Sequence, residues 1–228
     1  TGATLRAGRR PAWGGPAPGM TRKAPNAPLQ AYVLHSYDWS ETSLILELFT
    51  RERGRVVAAA KGAKRPYSQL RAVLIPFQRI QVLLGRPPGD ENAEVHTLRS
   101  AEWGGGTPAL SGGALFRGFY ANELLLKLLA RQDPHPALFD AYALTLPGLG
   151  GGEAQAAAAL RAFELLLLRE TGVLPALDHV TATLAPLTPD GRYALQAETG
   201  LVPAGAEALD GRVLLALAAA LEADDLAA

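Results

Sequence analysis

The 228-residue chain contains no cysteine, which removes disulfides, thiolate metal sites and thiol nucleophiles at a stroke and fits a reducing cytoplasm. Long apolar runs are also missing. Charged residues interrupt every leucine-rich stretch before it reaches the roughly 18 to 20 residues of a membrane span, so no membrane association is expected. Residues 1–28 are rich in Gly, Pro, Ala and Arg but lack the apolar middle of a secretory signal, and they read as a disordered leader. Met20 is the sole methionine, so the natural chain can begin there.

Enzymatic signatures are lacking too. His35, His96, His135 and His179 lie in four separate elements, with no HExxH motif beside them. Gly148–Gly152 neither follows a strand nor precedes a GK[ST] sequence, so it reads as a linker rather than a phosphate-binding loop. Glu164 and Glu170 sit on one helix without converging. No catalytic residue, metal ligand or cofactor is expected.

Net charge is zero overall, yet the charges are unevenly spread. Residues 1–88 carry 14 Lys and Arg against 4 Asp and Glu, and residues 89–228 carry 8 against 18. The halves are therefore +10 and −10. A basic half can attract a phosphate backbone through counterion release, which the acidic half would not do; a solvated surface with a basic tail has the same composition.

From Leu29 to Trp103, apolar residues alternate or form short β-rich runs punctuated by Gly, Pro, Asp and Ser. Five strands are predicted: Gln30–Ser36, Ser43–Thr50, Arg55–Lys61, Phe77–Gly85 and Glu94–Trp103, with a short helix over Ser68–Leu74. Five strands with a helix between the third and fourth match an OB-fold, a small Greek-key barrel. After Trp103 the period lengthens to that of helices over Ser111–Arg131, Pro136–Leu146, Glu153–Thr171 and Ala206–Leu221. Leu115, Phe119, Glu123 and Leu126 are expected to share one face of the first. The dense leucines of the third should be buried on most sides. Turns around Tyr193–Gln196 suggest a small hairpin. The fold class is thus α+β: an OB-fold barrel over 29–103, then a helical domain over 104–228 with a hairpin insertion around 175–203.

The segment Lys61-Gly62-Ala63-Lys64-Arg65-Pro66 is the most informative. With Arg51, Arg53 and Arg55 before it and Arg71 and Arg79 beyond, these cations are expected to crowd one end of the barrel and contact nucleic acid. Gly62 lets the chain turn sharply and bring backbone amides to a phosphate. Tyr37, Trp39 and Tyr67 are interleaved with the charges, either as stacking platforms for bases or as plugs of the barrel and its rim.

Several motifs in order resemble the RecO family of DNA-repair mediators. They are Tyr37-Asp38-Trp39-Ser40-Glu41-Thr42, Leu46 to Thr50, Gly54-Arg55, Ala60-Lys61-Gly62-Ala63-Lys64, Ser68 and Pro76-Phe77. The helical half adds Tyr120 to Leu125, Leu138-Phe139, and Arg161 to Leu165 through Gly172 with Pro175, for coverage from about Leu29 to Val202. The resemblance implies a bacterial cytoplasmic, nucleoid-associated protein that binds single- and double-stranded DNA, and the residue pattern assigns that contact to Arg51, Arg53, Arg55, Lys61, Lys64, Arg65, Tyr67, Arg71 and Arg79. It also implies annealing of complementary strands and assistance in recombinase loading, with RecR as partner. The C-terminal tail of single-strand-binding protein is a further implied ligand, for which Leu124, Lys127, Leu128 and Arg131 could form a pocket. Many family members carry a four-cysteine zinc module after the third long helix. Here Val180 and Thr183 stand where the first cysteine pair would be, so the hairpin is expected to be zinc-free.

Two competing functions remain open from sequence. A scaffold could dock its basic barrel on an acidic protein, leaving DNA mainly to the partner. An OB-fold nuclease would need an acidic metal cluster, and none is legible.

Overall fold

The computed structural model describes residues 27–85, 94–106, 109–205 and 208–223; the leader and Met20 lie outside them. Strands β1 (Leu29–Asp38), β2 (Leu44–Thr50), β3 (Gly54–Ala60), β4 (Arg79–Gly85) and β5 (Val95–Trp103) close into a barrel of order β1-β2-β3-β5-β4. All pairings are antiparallel except β3 with β5. With the short helix α1 (Leu70–Val73) between β3 and β4, this is the OB-fold arrangement.

Period-two patterning sorts the strand side chains into two cores. Ala31, Val33, Leu46, Leu48, Val56 and Ala58 fill the barrel. Their neighbours Tyr32, Leu34 and Phe49 point outward and pack on helices α2 (Gly113–Leu128), α3 (Pro136–Leu149) and α4 (Glu153–Glu170). Phe139 and Tyr142 meet Tyr32 at ring-centroid distances of 5.2 and 4.9 Å, and Phe139 lies 5.4 Å from Phe49. Each such pair adds about 0.5–1.5 kcal/mol beyond its area burial.

A bulge in β1 fixes the helices against this face. Register slips between Val33 and His35, so Leu34 has no opposite residue in β2. Its carbonyl accepts Nδ2 of the buried Asn122 at 2.9 Å, and Asn122 Oδ1 accepts the Tyr142 hydroxyl at 2.6 Å. One amide thus satisfies a strand carbonyl and a buried phenol, whose pKa burial pushes well above its ordinary value.

Several elements depart from their sequence-based bounds. β4 begins at Arg79 because Phe77 adopts φ 67° and leaves the strand to pack on Phe119 at 5.1 Å. Helix α2 buries Ala114, Gly118, Ala121, Asn122 and Leu125, not the expected stripe through Leu115, Phe119, Glu123 and Leu126. Small residues let the helix lie close: a Cβ on Gly118 would sit 2.8 Å from Phe77. The helix stops at Leu128, since Leu129 turns extended. Helix α4 fully buries only Ala156, Phe163, Leu166 and Leu167; Leu160 packs on the barrel-facing core and Leu165 on a third one. The expected burial on most sides becomes a division between two cores.

That third core holds Leu177, Val180, Leu187, Tyr193, Leu201, Leu214 and Leu221. It sits under a three-stranded sheet of β6 (Arg192–Gln196), β7 (Gly200–Pro203) and β8 (Leu209–Asp210), followed by α5 (Gly211–Glu222). Residues 209–210 of the expected last helix pair with β6 instead, and the Asp210 side chain caps α5. The residues at the family's zinc position do not suit a metal: Val180 is buried in the core, and the neighbouring Thr181 hydroxyl accepts Leu201 N–H at 2.8 Å.

Asn122→Ala orphans a buried carbonyl and a buried hydroxyl, so it should cost about 2 kcal/mol or more. A denaturant titration should show the midpoint falling with little change in slope; an unchanged midpoint would mean that water replaces the amide at no cost.

Candidate nucleic-acid interface

The register of the β2–β3 hairpin decides where the cations lie. Thr50 faces Gly54 at one end and Leu44 faces Ala60 at the other. At about 3.3 Å per residue, these ends are roughly 20 Å apart. The expectation that all the cations crowd one end is therefore corrected: Arg51, Arg53 and Arg55 belong to one end of the hairpin, and Lys61, Lys64 and Arg65 to the other.

The hairpin-tip group is turned toward the helices. Arg51 makes a two-pronged bond to Asp140 of α3, at 2.9 Å from Nε and 2.8 Å from Nη2. That bond holds the Asp140 carboxyl below the ordinary carboxylate range, with the charges of Arg51 and Arg79 adding to the effect. Arg55 is mostly buried, donates to the Leu126 carbonyl and lies 3.9 Å from Glu47. Arg131, which follows α2, bonds Glu47 at 2.9 Å and Glu94 at 2.6 Å. Gln132 N–H donates to the Arg55 carbonyl, so the α2–α3 connection lies directly on β3. Gly54 makes this approach possible: it has φ 64°, and a Cβ there would fall 1.8 Å from the Asp133 oxygen. Arg79 donates to the Gly104 carbonyl at 3.3 Å. Arg53 is half-buried at the tip, with no carboxylate partner among the described residues.

The opposite end faces solvent. Lys61, Arg65 and Arg71 are exposed and have no carboxylate partner among the described residues. Lys64 instead braces the β1–β2 loop, with Nζ 3.1 Å from Asp38 and donating to the Ser40 carbonyl at 3.3 Å. Its own amide donates to Thr42 O at 3.0 Å. Gly62 has φ 73°, as its turn role requires, but its amide points to Ser43 Oγ at 3.4 Å, not outward to a phosphate. Lys61, Gly62 and Arg65 line a cleft of about 420 Å³ with Trp39, Ser40 and Ser43. Tyr67 is 97% exposed, Trp39 57% and Tyr37 50%. Among the described residues the barrel core contains no aromatic ring, and these three do not plug its interior.

On the helical side, Leu124 is half-buried against the core and Leu128 is exposed. Lys127 pairs with Glu123 at 2.6 Å. Arg131 is committed to its two carboxylates, so the four residues of the expected peptide pocket do not share one free surface. A larger apolar groove, about 610 Å³, runs between α3 and α4 past Ala141, Leu144, Ala158, Ala162 and Phe163; sequence patterning gave no sign of it. Glu47, which organises the junction, stands as a lone charge in the apolar run 44–49, and Asp140 stands likewise in the run 136–144. Asn122 carried no such signal, since Glu123 stands beside it.

Among the described residues there is no group of three or more His, Asp or Glu able to hold a metal ion, and no helix is long and apolar enough to cross a membrane.

Two family models match the chain: Recombination protein O N terminal over residues 26–104, and Recombination protein O C terminal over 111–227. A DNA repair protein RecO of Delftia acidovorans is 59% identical over 175 residues, covering 76% of this chain and 68% of that protein. A protein of the same name from Variovorax paradoxus is 59% identical over 176 residues, covering 75% and 66%. One from Acidovorax ebreus is 52% identical over 203 residues, covering 84% and 76%. The first two matches span about two thirds of each relative's own length.

The Arg51–Asp140 bond generates a pH signature. Asp140 has a depressed folded-state pKa, so its stabilisation is present above the unfolded value of about 3.9 and is lost as pH falls through the folded one. Asp140→Asn should melt earlier than the parent at neutral pH, and the gap should close in acid. Thermal melts across that range test this; a gap independent of pH would assign the effect to packing.

Proposed function

The chain belongs to the RecO family of DNA repair proteins, and on that premise we propose that it is a recombination mediator that binds single- and double-stranded DNA and anneals complementary strands. The observation that carries this reading is the solvent-facing group of Lys61, Arg65 and Arg71, with Lys64 and Tyr67 beside it. Unpaired cations on a rigid barrel neutralise phosphates and release their counterions. Two strands held this way repel each other less, and pairing then follows without any bond-making residue.

Of the residues first assigned to DNA, Arg51 and Arg55 contribute to the junction with the helices instead, and Arg79 and Arg53 lie away from the exposed group. Assistance in recombinase loading, with RecR and the tail of single-strand-binding protein as partners, is part of the same proposal. Leu124, Lys127 and Leu128 are its peptide surface. Arg131 contributes less, since an acidic tail would have to displace Glu47 and Glu94.

Replacing Lys61, Lys64 and Arg65 together by Ala should weaken DNA binding and lower the slope of log affinity against log salt by about two. Arg51→Ala should lower the melting temperature yet leave that slope unchanged. Filter binding at several salt concentrations, with and without partner, reads both. Unchanged affinity of the triple variant in dilute buffer would sink the assignment and favour a scaffold whose partner holds the DNA.

A further inference from the structure

The cleft between the β1–β2 loop and the β3–α1 loop differs chemically from a general basic patch. Its walls carry two exposed cations without carboxylate partners among the described residues, Lys61 and Arg65, together with the hydroxyls of Ser40, Thr42 and Ser43 and an indole, Trp39. Its shape is fixed from both sides. Trp39 N–H and Ser40 N–H both donate to the Ser43 carbonyl, closing the β1–β2 loop on itself. Lys64 then ties that loop to the chain leaving β3 through its amide and its ammonium group. Arg65 N–H donates to the Gly62 carbonyl, which holds the second wall in a turn. The charge that braces the cleft is therefore Lys64, and the charges left for a ligand are Lys61 and Arg65.

We propose that this cleft holds one unpaired nucleotide of a DNA strand, with its base stacked on Trp39 and its phosphate between Lys61 and Arg65. The inference rests on the DNA-binding reading above and deepens it. An indole that is 57% exposed beside two exposed cations offers an unstacked base a π-face and the adjoining phosphate a counter-charge. A duplex presents its phosphates to the same cations, but its bases are stacked on one another and do not reach the indole. The cleft thus distinguishes single strand from duplex. When two strands pair, the stacking contribution disappears while the electrostatic one persists, so the annealed product is held less tightly than its precursor.

The test compares a single-stranded oligonucleotide with a duplex of the same length on the full chain. Trp39→Ala should weaken single-strand binding about tenfold, leave duplex binding within about twofold and leave the salt slope unchanged. Trp39→Phe, which keeps an aromatic face, should recover most of the loss. Lys61→Ala with Arg65→Ala should weaken both DNAs and flatten both slopes. Equal losses on single strand and duplex for Trp39→Ala, or no loss on either, would overturn the nucleotide site while leaving the basic-patch reading intact. Failure of the parent protein to bind either DNA would overturn that reading, and the site with it. A second measurement keeps Trp39 in place: with Trp13 and Trp103 replaced by Phe, single-stranded DNA should quench the remaining indole emission and duplex should not. Equal quenching by the two refutes the proposal.

Discussion

The hydrogen bonds of Asn122 hold the molecule's two halves in register. A bulge in a strand leaves a carbonyl that the ladder does not use, and a buried carbonyl without a donor is costly. Placing one amide against it, inside a slab of aromatic rings from β1, β2 and α3, sets where the helices sit on the barrel. The pairing of the hairpin-tip arginines follows from that placement. OB-folds commonly present the face of their second and third strands to a ligand. Here the outer side of β2 and β3 near the hairpin is occupied by the α2–α3 connection, so the open surface lies at the loops of the other end.

Pairing sorts the cations more sharply than sequence position does. Eight Lys and Arg fall between residues 51 and 79, and in the linear chain they look equivalent. Folded, Arg51 and Arg55 face Asp140, Glu47 and the Leu126 carbonyl, while Lys61, Arg65 and Arg71 face water. The acidic character of the C-terminal half has a local meaning as well. Asp140 and Glu94, both from the acidic half, each fix an arginine at the junction. An arginine bonded by a carboxylate has little left to give a phosphate, since releasing it would strand the carboxylate.

The strands were legible because half-buried β-structure writes its faces into a period of two, and the loops between them carry Gly, Pro and Asp. The barrel face of α2 was not, because Gly118 and Ala121 achieve close packing by being small and so leave no hydropathic stripe. Leu115 and Phe119 did leave one, and it marks the flank of the buried face rather than its centre. The site was half legible. Lys61, Lys64 and Arg65 follow one another in sequence and stay together in space, whereas whether Arg51 and Arg55 are free depends on Asp140 and Glu47, one of which is 89 residues away. No local pattern encodes a contact at that separation.

The small sheet behind α4 is held without any cysteine. Thr181 bonds the backbone of β7, and a cluster of aliphatic side chains with Tyr193 closes beneath it. Aliphatic packing and backbone hydrogen bonds hold this hairpin together. With no thiolate in the chain, these contacts are indifferent to redox state, unlike those of a thiolate-bound knuckle that releases its ion on oxidation and opens.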